Sequence, residues 1–170
     1  IALALALSAC EPRDSQQDAV TRGSSEATLR LNIGQNPGSL DPRQVRDLID
    51  HTLAKMLGEG LTRLSPGHQP QPALAEKIEI SPDGLTYTFT LRDSMWSDGA
   101  PITASDFTAS WLSTLSPDYA SPNTSFFYPI RGAAAAKKGE LPLQDISIKA
   151  PDTRTLIVEL ESPTPYFLEL

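Results

Sequence analysis

The sequence predicts an α+β fold, and three observations carry that class. Apolar residues alternate with polar ones on either side of Ser81-Pro82-Asp83-Gly84, first at Ile78 and Ile80, then at Leu85, Tyr87, Phe89 and Leu91. A second alternating pair flanks Ala150-Pro151-Asp152-Thr153, with Ile146 and Ile148 before it and Leu156, Val158 and Leu160 after it. Period-two patterning around such turns marks a hairpin. Between the hairpins the spacing becomes helical, with Phe107, Trp111, Leu112 and Leu115 on one face.

In chain order, Ile1 to Cys10 is continuously apolar and ends in small residues. It is too short to span a bilayer and reads as the end of a secretory signal. Leu7-Ser8-Ala9-Cys10 matches the bacterial lipobox, so residues 1–10 are expected to be a signal-peptide remnant with Cys10 as the lipidated N-terminus. Several acyl chains on one residue make a stable anchor. A buried helix with an inert thiol is the alternative, but residues 11–27 are polar and aperiodic, as expected of a flexible linker. Leu29, Leu31 and Ile33 alternate as a first strand ending at Gly34. Val45, Leu48, Ile49, Leu53, Met56 and Leu57 then fall at helical spacing before Gly58. Asp41, with Pro42 and Gln44, offers one start for that helix.

Ser65 to Pro72, with Pro66-Gly67 and two further prolines, predicts a loop or turn. In the central hairpin Pro82 presets φ and Gly84 closes the turn without a Cβ clash. Trp96-Ser97-Asp98-Gly99 is a second turn, and Thr103 with Asp106 forms a helix start. Ser116 to Arg131 is an irregular excursion, Gly132 to Gly139 a short alanine-rich helix, and Ser162 to Tyr166 the beginning of a further helix. Tyr87, Phe89, Trp96, Phe107 and Trp111 are expected to share one core.

Fourteen Lys and Arg against 21 Asp and Glu give a net charge of −7, which disfavours nucleic acid. A single cysteine excludes an intrachain disulfide and a cysteine metal cluster within these residues. His51 sits in the apolar-patterned helix and His68 in the proline-rich loop, neither with an evident partner. No glycine-rich phosphate loop and no nucleophile with a base appears, so no cofactor and no enzymatic activity is expected. Asp93, Asp98 and Asp106 occupy turns and a cap, where carboxylates serve the local backbone.

Leu74-Ala75-Glu76, Asp83-Gly84-Leu85-Thr86-Tyr87-Thr88-Phe89, Leu91-Arg92, Trp96-Ser97-Asp98-Gly99, Pro101-Ile102-Thr103-Ala104 and Asp106-Phe107 together resemble one family signature. It is that of the family 5 extracytoplasmic solute-binding proteins, the large peptide receptors of ATP-driven oligopeptide and dipeptide importers. The resemblance runs from about residue 28 onward and concerns mostly scaffold residues. It implies a periplasmic-binding-protein-like fold, a Venus flytrap with an extra lobe, of which this chain is expected to be the N-terminal portion. Residues 28–58 would then begin the main lobe and 59–170 form a smaller α+β lobe.

In the family, two lobes close over an extended ligand, and the segment after Leu-Asp-Pro is a loop on the cleft wall. The resemblance therefore makes 43–47 a loop, puts the helix at about 48–58, and makes Glu59 to Leu64 a short strand leaving the first lobe. It also places Arg46 and Leu48 at ligand-approaching positions, where oligopeptide binders often carry an acid in place of Arg46. Ala120-Ser121-Pro122-Asn123 resembles an Ala-Ser-Pro-Tyr segment whose tyrosine packs on the ligand, so Asn123 is the third candidate ligand-binding residue. The implied partners are a peptide ligand, the permease subunits of an ABC importer, and the membrane through the Cys10 anchor. The implied location is the periplasm or the outer face of the bacterial cell membrane. Two alternatives stand beside peptide delivery. One is a non-peptide or specialised ligand (metal chelate, haem, glutathione or cell-wall peptide), the other a structural or adhesive lipoprotein without transport.

Overall fold

Alternation of threonine with large apolar residues from Thr86 to Leu91 produces the central strand of the molecule. The computed structural model describes residues 30–170, and among them Pro37–Leu170 pack as one compact unit. The strands are β1 (Thr62–Leu64), β2 (Pro70–Pro72), β3 (Ala75–Ile80), β4 (Thr86–Leu91), β5 (Ile148–Lys149) and β6 (Thr155–Glu159). The α-helices are α1 (Leu48–Leu57), α2 (Ala104–Leu115) and α3 (Ala133–Lys137). Strands β3 to β6 form an antiparallel sheet in the order β3-β4-β6-β5, and β1 and β2 pair separately.

The turn at 81–84 forms as its residues dictate. Gly84 adopts φ +70° and donates its N–H to the Ser81 carbonyl at 2.8 Å, while Ser81 N–H reaches the Thr86 carbonyl at 2.9 Å. Tyr87, Phe89 and Leu91 then point to one side of β4 and are 4%, 2% and 1% exposed, whereas Thr86, Thr88 and Thr90 are half-buried on the other. Burying each such apolar side chain contributes about 1.5–3 kcal/mol relative to leaving it in water. Strand β6 supplies Leu156 and Val158 to the same side, and Leu160 just past its end adds to them, all fully buried. The ring of Phe167 meets Tyr87 edge-on at 4.9 Å.

Helix α2 covers that side. Asp106 accepts from the Thr103 backbone N–H at 2.7 Å and from its hydroxyl at 3.0 Å, while its own N–H bonds the Thr103 carbonyl. Leu115 is fully buried, Phe107, Trp111 and Leu112 pack against the core, and Trp111 meets Phe127 edge-on at 5.6 Å. Helix α3 is entered through Gly132 at φ +82°, a left-handed conformation that favours glycine, and an added Cβ would also press on Leu141 Cδ2 at 2.7 Å. Lys137 at its end donates to the carbonyls of Thr114, Ser116 and Tyr119. An ammonium there satisfies carbonyls left unpaired at the end of α2 and favours its negative dipole end.

Four expectations are corrected. Arg30–Gly34 forms no strand and Leu31 is 54% exposed, because period-two alternation needs a neighbouring strand for its ladder and the described residues offer none. Pro70–Pro72, expected within a loop, pairs with β1. The bonds Ala73 N–H to Leu61 O and Ser65 N–H to Gln69 O set a register in which Pro70 and Pro72 fall at the non-bonded positions, where a missing N–H costs nothing. Trp96 is 51% exposed beside Met95 at 74%, not in the core. Its turn closes on its own backbone, Trp96 N–H to Ala100 O and Gly99 N–H to Trp96 O, and so carries the indole outward. Ser162 to Tyr166, expected to begin a helix, is bend and turn, and a 3-10 turn follows it at Phe167–Glu169. The calls for residues 1–29, including Cys10 and the linker, lie outside the described residues.

This core makes a pair of contrasting predictions. Phe89→Ala is expected to lower unfolding stability by about 3–5 kcal/mol. Trp96→Ala is expected to lower it by less than about 1 kcal/mol, as surface changes usually do. Urea unfolding followed by circular dichroism checks both, and comparable losses at the two positions would contradict the burial pattern.

Candidate functional site

The loop between Leu40 and Leu48 is built around carboxylates. Asp41 accepts the Arg43 backbone N–H at 2.9 Å, and Pro42 follows at the first position of a 3-10 turn, Pro42–Gln44. Helix α1 starts separately, since Asp47 Oδ1 accepts from the N–H groups of Ile49 and Asp50, each at 2.9 Å. The helix from residue 48 is therefore as expected, whereas Arg43 and Gln44, expected in a loop, belong to the 3-10 turn and only 45–47 are irregular. Asp50, on the first turn of α1, is only 2% exposed. Its carboxylate takes the N–H of Gly38 at 2.8 Å and, at 3.4 Å each, those of Ser39 and Arg46. A carboxylate this buried is tolerable because backbone donors and the positive end of α1 surround it.

A second segment, residues 119–123, is lashed to this loop. Ser121 Oγ donates to the Arg43 carbonyl at 2.7 Å, and Gln44 Nε2 donates to the Ala120 carbonyl at 2.7 Å. Asn123 Nδ2 donates to the carbonyl of Val45, itself 3% exposed, at 3.0 Å. The Tyr119 hydroxyl donates to Asp41 Oδ2 at 3.1 Å. Arg43 forks Asp41 through Nε and Nη2 at 2.9 and 2.7 Å, donates from Nη1 to Ser113 Oγ on α2 at 3.1 Å, and lies 4.8 Å over the Tyr119 ring. The Arg43 hydrogen bond, with the Arg43 N–H and the Tyr119 hydroxyl adding to it against the opposing effect of burial, holds the Asp41 carboxyl down at about 2. The same partnership raises Arg43.

The predicted site residues divide on this wall. Arg46 and Leu48 both face solvent, Leu48 being 81% exposed. Asn123 is half-buried, and its amide nitrogen is engaged with Val45. The structure thus joins all three through one loop pair, with Asn123 as a strut between the segments. Asp50 and Tyr119 escaped sequence reasoning, as did the bonds made by Gln44 and Ser121. Only Asp50 left a trace, as an acid in the first turn of a helix. Apart from this wall, an apolar cavity of about 200 Å³ is lined by Leu61, Phe107, Trp111, Phe127 and Phe167 among others. Among the described residues, no three His, Cys, Asp or Glu side chains gather as a metal site would require.

Residues 69–170, more than half of the chain, match the family model of bacterial extracellular solute-binding proteins, family 5 Middle. The chain belongs to that family. The oligopeptide-binding protein OppA of Bacillus subtilis is 44% identical over 85% of this chain and 27% of its own length. The probable deoxycholate-binding periplasmic protein YgiS of Escherichia coli is 39% identical over 84% of this chain and 27% of its own. The crystal structure of Haemophilus influenzae OppA with the peptide RPPGFSPFR superposes with a TM-score of 0.76 at 32% identity, over 81% of this chain and 27% of that one. The family 5 chain therefore spans about a quarter of the length of these relatives, with the α+β architecture of their matching part.

The carboxylate at the centre of the wall gives it an acid-sensitive lock. Asp41 has a lower pKa folded, about 2, than the roughly 3.9 of an unfolded chain. Its pairing therefore stabilises above pH 4 and is lost as pH falls from about 4 to about 2. Since the pair is about one-third exposed, solvent screening reduces that contribution to roughly 1 kcal/mol. The stability gap between wild type and Asp41→Asn, measured by urea unfolding at stepped pH, is expected to shrink across that interval. A gap constant from pH 6 to pH 2 would refute the assignment.

Proposed function

We propose that the chain is the N-terminal portion of an extracytoplasmic receptor, anchored through lipid on Cys10, that captures peptides and delivers them to an ABC importer. In this reading residues 28–58 begin the main lobe, 59–170 form most of a smaller lobe, and the loop pair 41–48 and 119–123 is one wall of the ligand cleft. The observation that carries it is that wall. Two chain segments distant in sequence are fastened together by side chains while Arg46 and Leu48 stand outward. A fixed rim facing solvent suits recognition of an extended ligand, whose backbone bonds supply affinity independent of sequence. The family relationship supports a binding receptor rather than an enzyme. Arg46 favours ligands with an acidic group, and Asn123 in place of an aromatic platform narrows the peptide set. A second reading, a non-peptide solute, draws support from the similarity to a probable deoxycholate-binding relative.

Calorimetry on the intact receptor with short alanine-based peptides, with and without glutamate, tests the binding reading. Arg46→Glu is expected to weaken glutamate-containing peptides relative to neutral ones, and Asn123→Tyr to broaden the set bound. Residues 1–170 alone are expected to bind no peptide, because one wall excludes water from only one side. Tight binding by that portion would overturn the two-wall reading. Binding of deoxycholate with no peptide bound would replace it with the second. Cys10→Ala is expected to release the receptor from membranes, whereas unchanged partition would remove the anchor.

A further inference from the structure

Residues 45–47 have no ladder or helical turn of their own between the 3-10 turn Pro42–Gln44 and α1, so the path that carries Arg46 up to Leu48 is set by side chains. Ordering each backbone residue costs about 1–2 kcal/mol, which such a loop must recover from specific bonds. Arg43 gathers the largest share of them in one group. Its guanidinium joins Asp41 on its own turn, Ser113 on α2 and the ring of Tyr119, and its carbonyl takes the Ser121 hydroxyl. Four residues from three chain segments therefore converge on one residue that lies behind the rim carrying Arg46 and Leu48.

We infer that Arg43 is the positioning residue of the ligand wall: clamped by Asp41 and Tyr119, it holds the loop bearing Arg46 and Leu48 in register with residues 119–123. This rests on the receptor reading above. Arg43 is one-third exposed and each of its three guanidinium nitrogens already bonds a protein group, so it acts on affinity through the loop rather than by touching ligand. Lysine keeps the charge but supplies neither the planar fork nor the stacking face. An unclamped loop spends only part of its time in the binding arrangement, and apparent affinity falls by that fraction.

The test uses the intact receptor with trialanine and triglutamate as probes. If the competent fraction falls to a tenth, Arg43→Lys weakens whichever probe binds about tenfold. Its melting temperature should move by no more than about 3 °C. Hydrogen exchange should quicken at the amides of 43–46 only, and slow again when the probe is bound. The double variant Asp41→Asn/Arg43→Lys should be no weaker than the worse single variant, since both remove one clamp. Unchanged affinity, additive losses, or exchange that quickens throughout the molecule would each overturn the proposal. If wild type binds neither probe nor any alanine-based peptide, the receptor reading fails instead. The exchange comparison then still decides the clamp, because unchanged protection at 43–46 in Arg43→Lys overturns it.

Discussion

The pairing of β4 with β6 is the constraint on which the rest depends. It runs from Thr86 opposite Glu159 to Thr90 opposite Thr155 and joins two hairpins that are remote in sequence. Each hairpin contributes an outer strand, β3 or β5, and one inner strand. Neither hairpin buries a face alone, and an isolated one is marginal in water. Joined, they place Tyr87, Phe89 and Leu91 beside Leu156, Val158 and Leu160 as one apolar floor. Everything between residues 91 and 148 must then fit over that floor, which is why α2 lies where it does. The register also fixes the far end of α2, where Lys137 ties α3 to its last carbonyls and to Tyr119.

The wall depends on that placement but is held by different forces. Its bonds run from side chains to backbone: Asp50 to Gly38, Asn123 to Val45, Ser121 to Arg43, Gln44 to Ala120. Each is worth only about 0.5–1.5 kcal/mol net, more where a charge takes part. A ladder would have been stiffer, yet it would consume the backbone groups in regular pairs and fix their spacing. Side-chain bonds hold an irregular path, and an irregular path can turn Val45 into the core while Arg46 and Leu48 face out. Positional precision in the loop is thus borrowed from α2 and from residues 119–123, through Ser113 and Tyr119.

The legible part of this structure was local. Period-two alternation with Pro-Asp turns specified both hairpins, and Thr103 with Asp106 marked the start of α2, because each signal lies within a few residues. Failures came wherever a partner decided the outcome. Leu29, Leu31 and Ile33 alternate correctly, but the described part of that stretch has no strand beside it. Pro70 and Pro72 look like loop residues until the register with β1 shows that neither N–H is needed. Trp96 has core chemistry and a turn's geometry, and the turn won. At the site, resemblance pointed to the 43–48 loop with Arg46 and Leu48, and to Asn123 on the segment that faces it. Sequence had no means to show that Asn123 spans to Val45, or that Tyr119 and Asp50 hold the loop, since those bonds join residues whose spacing carries no period.

Scaffold and ligand preference are therefore written in different places. The match to the family model covers 69–170, which holds both hairpins, α2 and the core aromatics, while the 41–48 half of the wall lies before it. Residues of the floor are constrained by packing whatever the receptor carries, so high identity there follows from the fold. A relative named for oligopeptides and one named as a probable deoxycholate binder stand at similar identity to this chain, as that argument requires. In the receptor proposed above, ligand class would then reside in outward residues that packing leaves free to change, such as Arg46 and Leu48, and in the proposed clamp that fixes their direction. Arg43 and Asp41 belong to neither group fully: they face one another and Tyr119, pack on α2, and still border the rim. A change at such a position alters where the rim stands without altering what it is made of, so under the proposed receptor reading it would retune affinity while the scaffold and its family signature stay the same.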